Sequence, residues 1–167
     1  MIATLIAAAS LAAQTASAPT PATAPCASAN HRAFDFWIGK WDVTPFAGGP
    51  LVAHSRIEGL YDGCAIRENW MPLKGSGGGS LSNYDAEGWH QTWVDSSGAR
   101  VLFEGGYQGE AMVLTGHWRG IANGKDGLVR MTYTRQPGGA VRQKGDVSAD
   151  NGQTWTPSFD FLYSPSQ

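Results

Sequence analysis

FDFWIGKWDV, residues 34–43, sets six large apolar side chains in ten residues: Phe34, Phe36, Trp37, Ile38, Trp41 and Val43. Gly39 is the only break. Aromatic side chains bury more area than any others, so this density marks a core-forming segment. Gly39-Lys40-Trp41 has the form Gly-x-Trp and leads into a strand through Val43. A short aromatic turn, a flexible glycine and a Trp at a strand start would plug one end of a barrel.

Downstream, alternating segments recur with turn residues between them, and none holds a helical period. They cover 51–60, 65–73, 80–85, 89–95, 100–108, 111–119, 128–136, 140–148 and 155–163. Glycine-rich turns such as 75–79 and 123–127 separate them, mostly at hairpin length. Sequential hairpins without helices predict an up-and-down antiparallel meander. With the strand through Val43 this makes about ten strands, which close into a barrel rather than leave apolar edges. A β-sandwich is the second architecture. The expected organisation is all-β. A single up-and-down antiparallel barrel domain spans 31–167, with a disordered N-terminal leader before it. A barrel of this size can hold a small ligand.

Composition agrees. The chain has 167 residues, with 22 Gly, 7 Trp and only 16% charged residues, a profile of turns, strands and an aromatic interior. A net charge of −2 with no basic run gives no electrostatic support for nucleic acid or an acidic membrane. Nothing in the sequence sets the oligomeric state.

The opening block resembles the Gly-x-Trp start of lipocalin-like (calycin) barrels, whose Trp closes the barrel floor. The chain is also similar to a family of uncharacterised bacterial secreted proteins that open with Phe-Asp-Phe-Trp-x-Gly-x-Trp-Asp-Val. That likeness continues through GCAIRENW (63–70), SLSNYD (80–85) and WHQTWVD (89–95), and so covers most of the chain after Cys26. It implies a fold more than an activity. Two positions depart from the family pattern. Lys40 stands where an acidic residue is usual, and Asn83 falls one place late, which moves an amide to the other face of its strand.

The first 29 residues carry no charged side chain. Residues 2–13 form an apolar run of signal-peptide length, too short to span a bilayer, and Ala16-Ser17-Ala18 offers a small-residue cleavage site. The reading is a signal peptide over 1–18, a Pro/Ala linker over 19–30 and a periplasmic or secreted domain without a membrane span. With export, pairing of Cys26 with Cys64 is the natural state of an even cysteine count, and it would staple the arm to the barrel. Two unrelated thiols are the alternative.

Residues 148–155 read Ser-Ala-Asp-Asn-Gly-Gln-Thr-Trp and resemble the Asp-box of sialidase-type propellers. A propeller repeats the motif blade by blade. Here it occurs once, which makes it a self-bonded hairpin turn rather than evidence of a sialidase.

Alternation assigns the remaining faces. Ile66, Glu68 and Trp70 share one face, as do Trp89, Gln91 and Trp93, then Val101, Phe103 and Tyr107, then Met112, Leu114 and Trp118. Val129, Met131, Tyr133 and Arg135 form another, and Trp155, Phe159, Phe161 and Tyr163 the last. The inward set is aromatic with a few polar members, including Gln143, as in a small-molecule site. The expected ligand-binding residues are Glu68, Trp70, Tyr84, Gln91, Trp93, Tyr107, Tyr133 and Arg135. The ligand would be small, and apolar or amphipathic. A structural alternative is a barrel without ligand, in a structural or interaction role, with Glu68 and Arg135 as a buried ion pair. An enzymatic alternative uses Glu68 as general acid/base, since a carboxyl among aromatics has a raised pKa.

No phosphate loop, Gly-x-Ser-x-Gly elbow or Cys-x-x-Cys pair is present. His31, His54, His90 and His117 are scattered without metal-ligand spacing, so no metal is expected. Haem barrels of the nitrobindin type use a C-terminal His, and no His follows His117. No cofactor is expected.

Overall fold

The computed structural model describes residues 24–166. The expected signal peptide and disordered leader, and the first part of the linker, lie outside the described residues. Within them run ten strands: β1 Gly39–Pro45, β2 Ala53–Leu60, β3 Ala65–Pro72, β4 Gly78–Tyr84, β5 Trp89–Asp95, β6 Arg100–Gln108, β7 Ala111–Ala122, β8 Lys125–Arg135, β9 Val141–Ser148 and β10 Thr156–Pro165. Each pairs antiparallel with its sequence neighbours. β1 also pairs with β10, Trp41 opposite Pro165 and Val43 opposite Tyr163, so the sheet closes on itself. This is the up-and-down barrel that the alternation predicts, and closure rules out the sandwich. The described helix is confined to three short 3-10 turns.

An up-and-down order brings the starts of odd strands and the ends of even strands to one end of the barrel. The residues of the opening block plug that end. Phe34 and Trp37 are fully buried around a 3-10 turn, Asp35–Trp37, with their rings stacked at 4.9 Å. Phe34 meets Trp89 and Tyr133, and Trp37 meets Tyr133 and Tyr163. Trp41 Nε1 donates to the Trp37 carbonyl at 3.0 Å, tying the plug to β1. The Trp41 indole folds back over Gly39, where a Cβ would lie 2.9 Å from the ring. Gly-x-Trp thus has a local cause: the glycine makes room for the ring two residues on.

The N-terminal arm seals the same end. Cys26 and Cys64 form a disulfide immediately before β3. Asn30 Nδ2 donates to the Tyr84 hydroxyl at 2.8 Å, and the Asn30 carbonyl accepts from Trp89 Nε1 at 3.2 Å. Residues 24–30 therefore have turns but no regular element, and they are bonded to the barrel nonetheless.

The Asp-box hairpin is self-bonded as its sequence suggests. Asp150 accepts from the Thr154 amide and hydroxyl, Gly152 takes φ of +86°, and Trp155 Nε1 donates to the Gly152 carbonyl. Asn151 also adopts positive φ, and Arg130 lies 4.2 Å above the Trp155 ring. The turn joins β9 to β10, and none of its residues lines the cavity.

Two stability tests follow from the plug and the staple. Trp41→Ala should cost about 3–5 kcal/mol in urea melts, as large core truncations do, and a loss below about 1 kcal/mol would deny Trp41 its closing role. Replacing both cysteines by serine opens a loop of sequence separation 38 and should cost about 3–4 kcal/mol in the chain-entropy account. Non-reducing mass spectrometry should find no free thiol in the untreated protein.

Candidate functional site

At the end opposite the plug the barrel interior is open. A cavity of about 180 Å³ enters there. Trp70, Trp93, Trp118, Phe159 and Phe161 line its upper part. Their strands set this height: Trp70 and Trp93 stand near the ends of β3 and β5, and Phe159 near the start of β10. Two pleats of the sheet deeper lie Glu68, Gln91, Met131, Tyr133, Gln143 and Tyr163, with Phe103 in the wall. Gly145, paired with Phe159, leaves the space its ring occupies; a Cβ there would lie 2.2 Å from the Phe159 ring.

The floor is a belt of hydrogen-bonded polar side chains. Ser55 Oγ donates to Glu68 Oε1 at 3.0 Å, and Ser80 Oγ approaches Oε2 at 3.5 Å. Gln91 Nε2 donates to Ser82 Oγ at 3.1 Å. Gln143 Nε2 donates to the Tyr133 hydroxyl at 3.0 Å, while the Tyr163 hydroxyl donates to Gln143 Oε1 at 2.5 Å. All eight of these side chains are buried. Burial without hydrogen bonds would cost each group several kcal/mol, which is why the belt is self-bonded.

Glu68 is the one carboxyl in the cup's lining. Its residue is 6% exposed, and burial pushes its pKa from 4.5 up to about 7 against the opposing bonds from Ser55 and Ser80. Tyr133 and Tyr163 are raised well above the ordinary phenol value, first by burial and then by the charge of Glu68. Both phenols therefore stay neutral near pH 7.

Of the residues expected from alternation, Glu68, Trp70, Gln91, Trp93 and Tyr133 line the cavity together. Tyr84, Tyr107 and Arg135 are placed elsewhere. They end β4, β6 and β8, so the up-and-down order carries all three to the plugged end. There Tyr84 bonds Asn30, and Arg135 donates to the Tyr107 hydroxyl at 2.8 Å while lying over the Phe36 ring. The Glu68–Arg135 pair is thus not formed: the two side chains belong to different levels of the barrel, and Arg135 is exposed. Phe103, Trp118, Met131, Gln143, Phe159, Phe161 and Tyr163 complete the lining. Their inward faces were legible, but their height in the barrel was not. Ser55, Ser80 and Ser82 gave no signal, because a small hydroxyl fits either face of a strand. Asn83 points outward and Ser82 inward, so the late amide of SLSNYD is outside the cup. His90 and His117 also face away, and His90 bonds Asp85 at 3.0 Å.

No protein-family model matches the chain, and no curated protein matches it in sequence.

The Glu68 titration predicts a pH-dependent stability. The folded barrel holds the proton more tightly than the unfolded chain. Glu68's favourable share of stability is therefore complete below pH 4.5 and is lost as pH rises to about 7. The shift corresponds to about 3 kcal/mol. Urea melts across this window should show that loss in the wild type, and Glu68→Gln should flatten it.

Proposed function

We propose that the barrel binds a small apolar or amphipathic molecule in this cup, its apolar part among the rings and its polar part on the floor. The observation that carries the reading is the asymmetry of the interior: one end is packed with Phe34 and Trp37, and the other opens on an aromatic cavity above a polar belt. Ligand sites in barrels have this character, apolar walls with a few placed polar groups. The location proposed is extracytoplasmic, periplasmic or secreted. The disulfide supports it, since such bonds persist in oxidising compartments, and so does the resemblance of residues 34–43 to secreted bacterial proteins. No described helix is long and apolar enough to cross a membrane.

A second reading, general acid/base catalysis by Glu68, draws on its pKa of about 7. Glu68→Gln separates the two, because it would abolish a turnover while leaving the cavity's shape intact.

Native mass spectrometry of the protein purified from its source should retain a small-molecule adduct, and indole should quench the fluorescence of the cup tryptophans. Gly145→Ala, which drives the Phe159 ring into the cavity, should weaken indole binding about tenfold or more. Neither adduct nor quenching would remove the reading.

A further inference from the structure

We infer that the cup selects small organic cations: a primary or secondary amine whose ammonium sits on Glu68 and whose apolar body lies between Trp70, Trp93 and Phe161. This rests on the binding reading above and narrows it to one chemical class. The first ground is charge. Among the described residues, the cavity lining holds one carboxyl, Glu68, and no Lys, Arg or His. An anionic headgroup would meet that carboxyl with no cation to offset it.

The second ground is hydrogen-bond accounting. The donors around Glu68 are mostly engaged: Ser55 and Ser80 on Glu68, one Gln91 N–H on Ser82, Gln143 on Tyr133, Tyr163 on Gln143, and Tyr133 on the Met131 sulfur. What is left over on Glu68 itself is acceptor capacity. An ionised carboxylate offers about four lone-pair sites, and Glu68 takes one 3.0 Å bond and one contact of 3.5 Å. A ligand group that donates completes this set, and an ammonium donates three ways. The third ground is the wall. Aromatic rings attract a cation through their quadrupoles, most strongly where water is excluded. A cavity of about 180 Å³ suits a body of one aromatic ring, since about 150 Å³ already admits benzene.

The groups facing Glu68 leave its titration linked to such a ligand. Tyr133 on β8 and Tyr163 on β10 face it and stay neutral, and Ser55 on β2 and Ser80 on β4 do not ionise. Arg56, Glu58 and Arg67 stand on the outer faces of β2 and β3, where Glu58 pairs with both arginines. Binding a cation must then expel the proton that Glu68 carries below neutrality.

Titration calorimetry with benzylamine, benzyl alcohol and benzoate tests this on the intact protein, because the three share a shape and differ in charge. Benzylamine should bind about tenfold or more tightly than benzyl alcohol, and benzoate not measurably. At about pH 6.5, buffers of different ionisation enthalpy should show proton release with benzylamine and none with benzyl alcohol. Glu68→Gln should erase the preference, leaving benzylamine no tighter than benzyl alcohol to within about threefold. If that variant fails to fold by circular dichroism, proton release in the wild type decides alone. Equal binding of alcohol and amine, or a preference that survives Glu68→Gln, would overturn the inference and leave the cup reading in place. Silence from all three compounds would overturn both.

Discussion

The burial of Phe34 and Trp37 in one end of the barrel is the interaction on which the rest depends. A ten-strand barrel is wide enough to admit water along its axis unless side chains fill it. Two stacked rings, wedged against Trp89, Tyr133 and Tyr163, fill one end. Each aromatic buries on the order of 150–250 Å², or about 4–6 kcal/mol of transfer free energy by area before entropy is counted. The packing carries one visible cost: Trp37 Nε1 is the buried side-chain polar atom left without a partner among the described residues. An orphaned donor costs about 1–3 kcal/mol, which the ring's own burial outweighs. The plug closes the floor's lower side to water and so contributes to the burial that raises Glu68. The electrostatics of the cup therefore begin with the aromatic turn at the other end.

The inside of the barrel is divided by level. The plugged third is apolar, the middle is a ring of Ser, Gln, Tyr and Glu side chains, and the open third is aromatic. A polar belt between two apolar layers is costly unless each member finds its partner. Five of the eight, Ser82, Gln91, Tyr133, Gln143 and Tyr163, do so with each other, and Ser55 and Ser80 bond Glu68. The eighth, Glu68, has two serine donors for a carboxylate, too few to hold its charge at an ordinary pKa. The barrel is thus stable with Glu68 protonated and strained with it charged, a condition that an incoming donor relieves.

Much of this was legible in the sequence. The strand over 89–95 and that over 100–108 coincide with β5 and β6, because Trp89-His-Gln-Thr-Trp alternates cleanly and Gly98 marks the turn. Glu68 was placed inward by Ile66 and Trp70 on either side. What alternation cannot supply is height. A period of two fixes the face of a residue and says nothing of its distance from either end of the barrel. Alternation alone groups Tyr107 and Arg135 with Glu68, although strand direction sends the ends of β6 and β8 to the plug. The meander order, once granted, already contains this information: even strands end where odd strands begin. The arm was opaque for another reason. Residues 24–30 have no periodicity, and their anchorage depends on a disulfide and on Asn30, whose partners lie over fifty residues away.

Whether the cup holds or transforms its ligand turns on what Glu68 has for company. A carboxyl with a pKa of about 7 can pass a proton at neutral pH, so its titration alone does not separate the two. Catalysis further requires groups that stabilise charge as it develops, usually free donors aimed at the reacting atom. The two hydroxyls bonded to Glu68, Ser55 and Ser80, are already given to it, and most other belt donors to one another, so freeing one would orphan a buried acceptor. The neighbouring tyrosines are poor acids because burial raises them well above the ordinary phenol value, as it raises Glu68 above the ordinary carboxyl value. A carboxyl whose bonded serines are committed to it and whose tyrosine neighbours stay neutral favours a bound state over a transition state, and that is the physical reason binding is the stronger reading of this barrel.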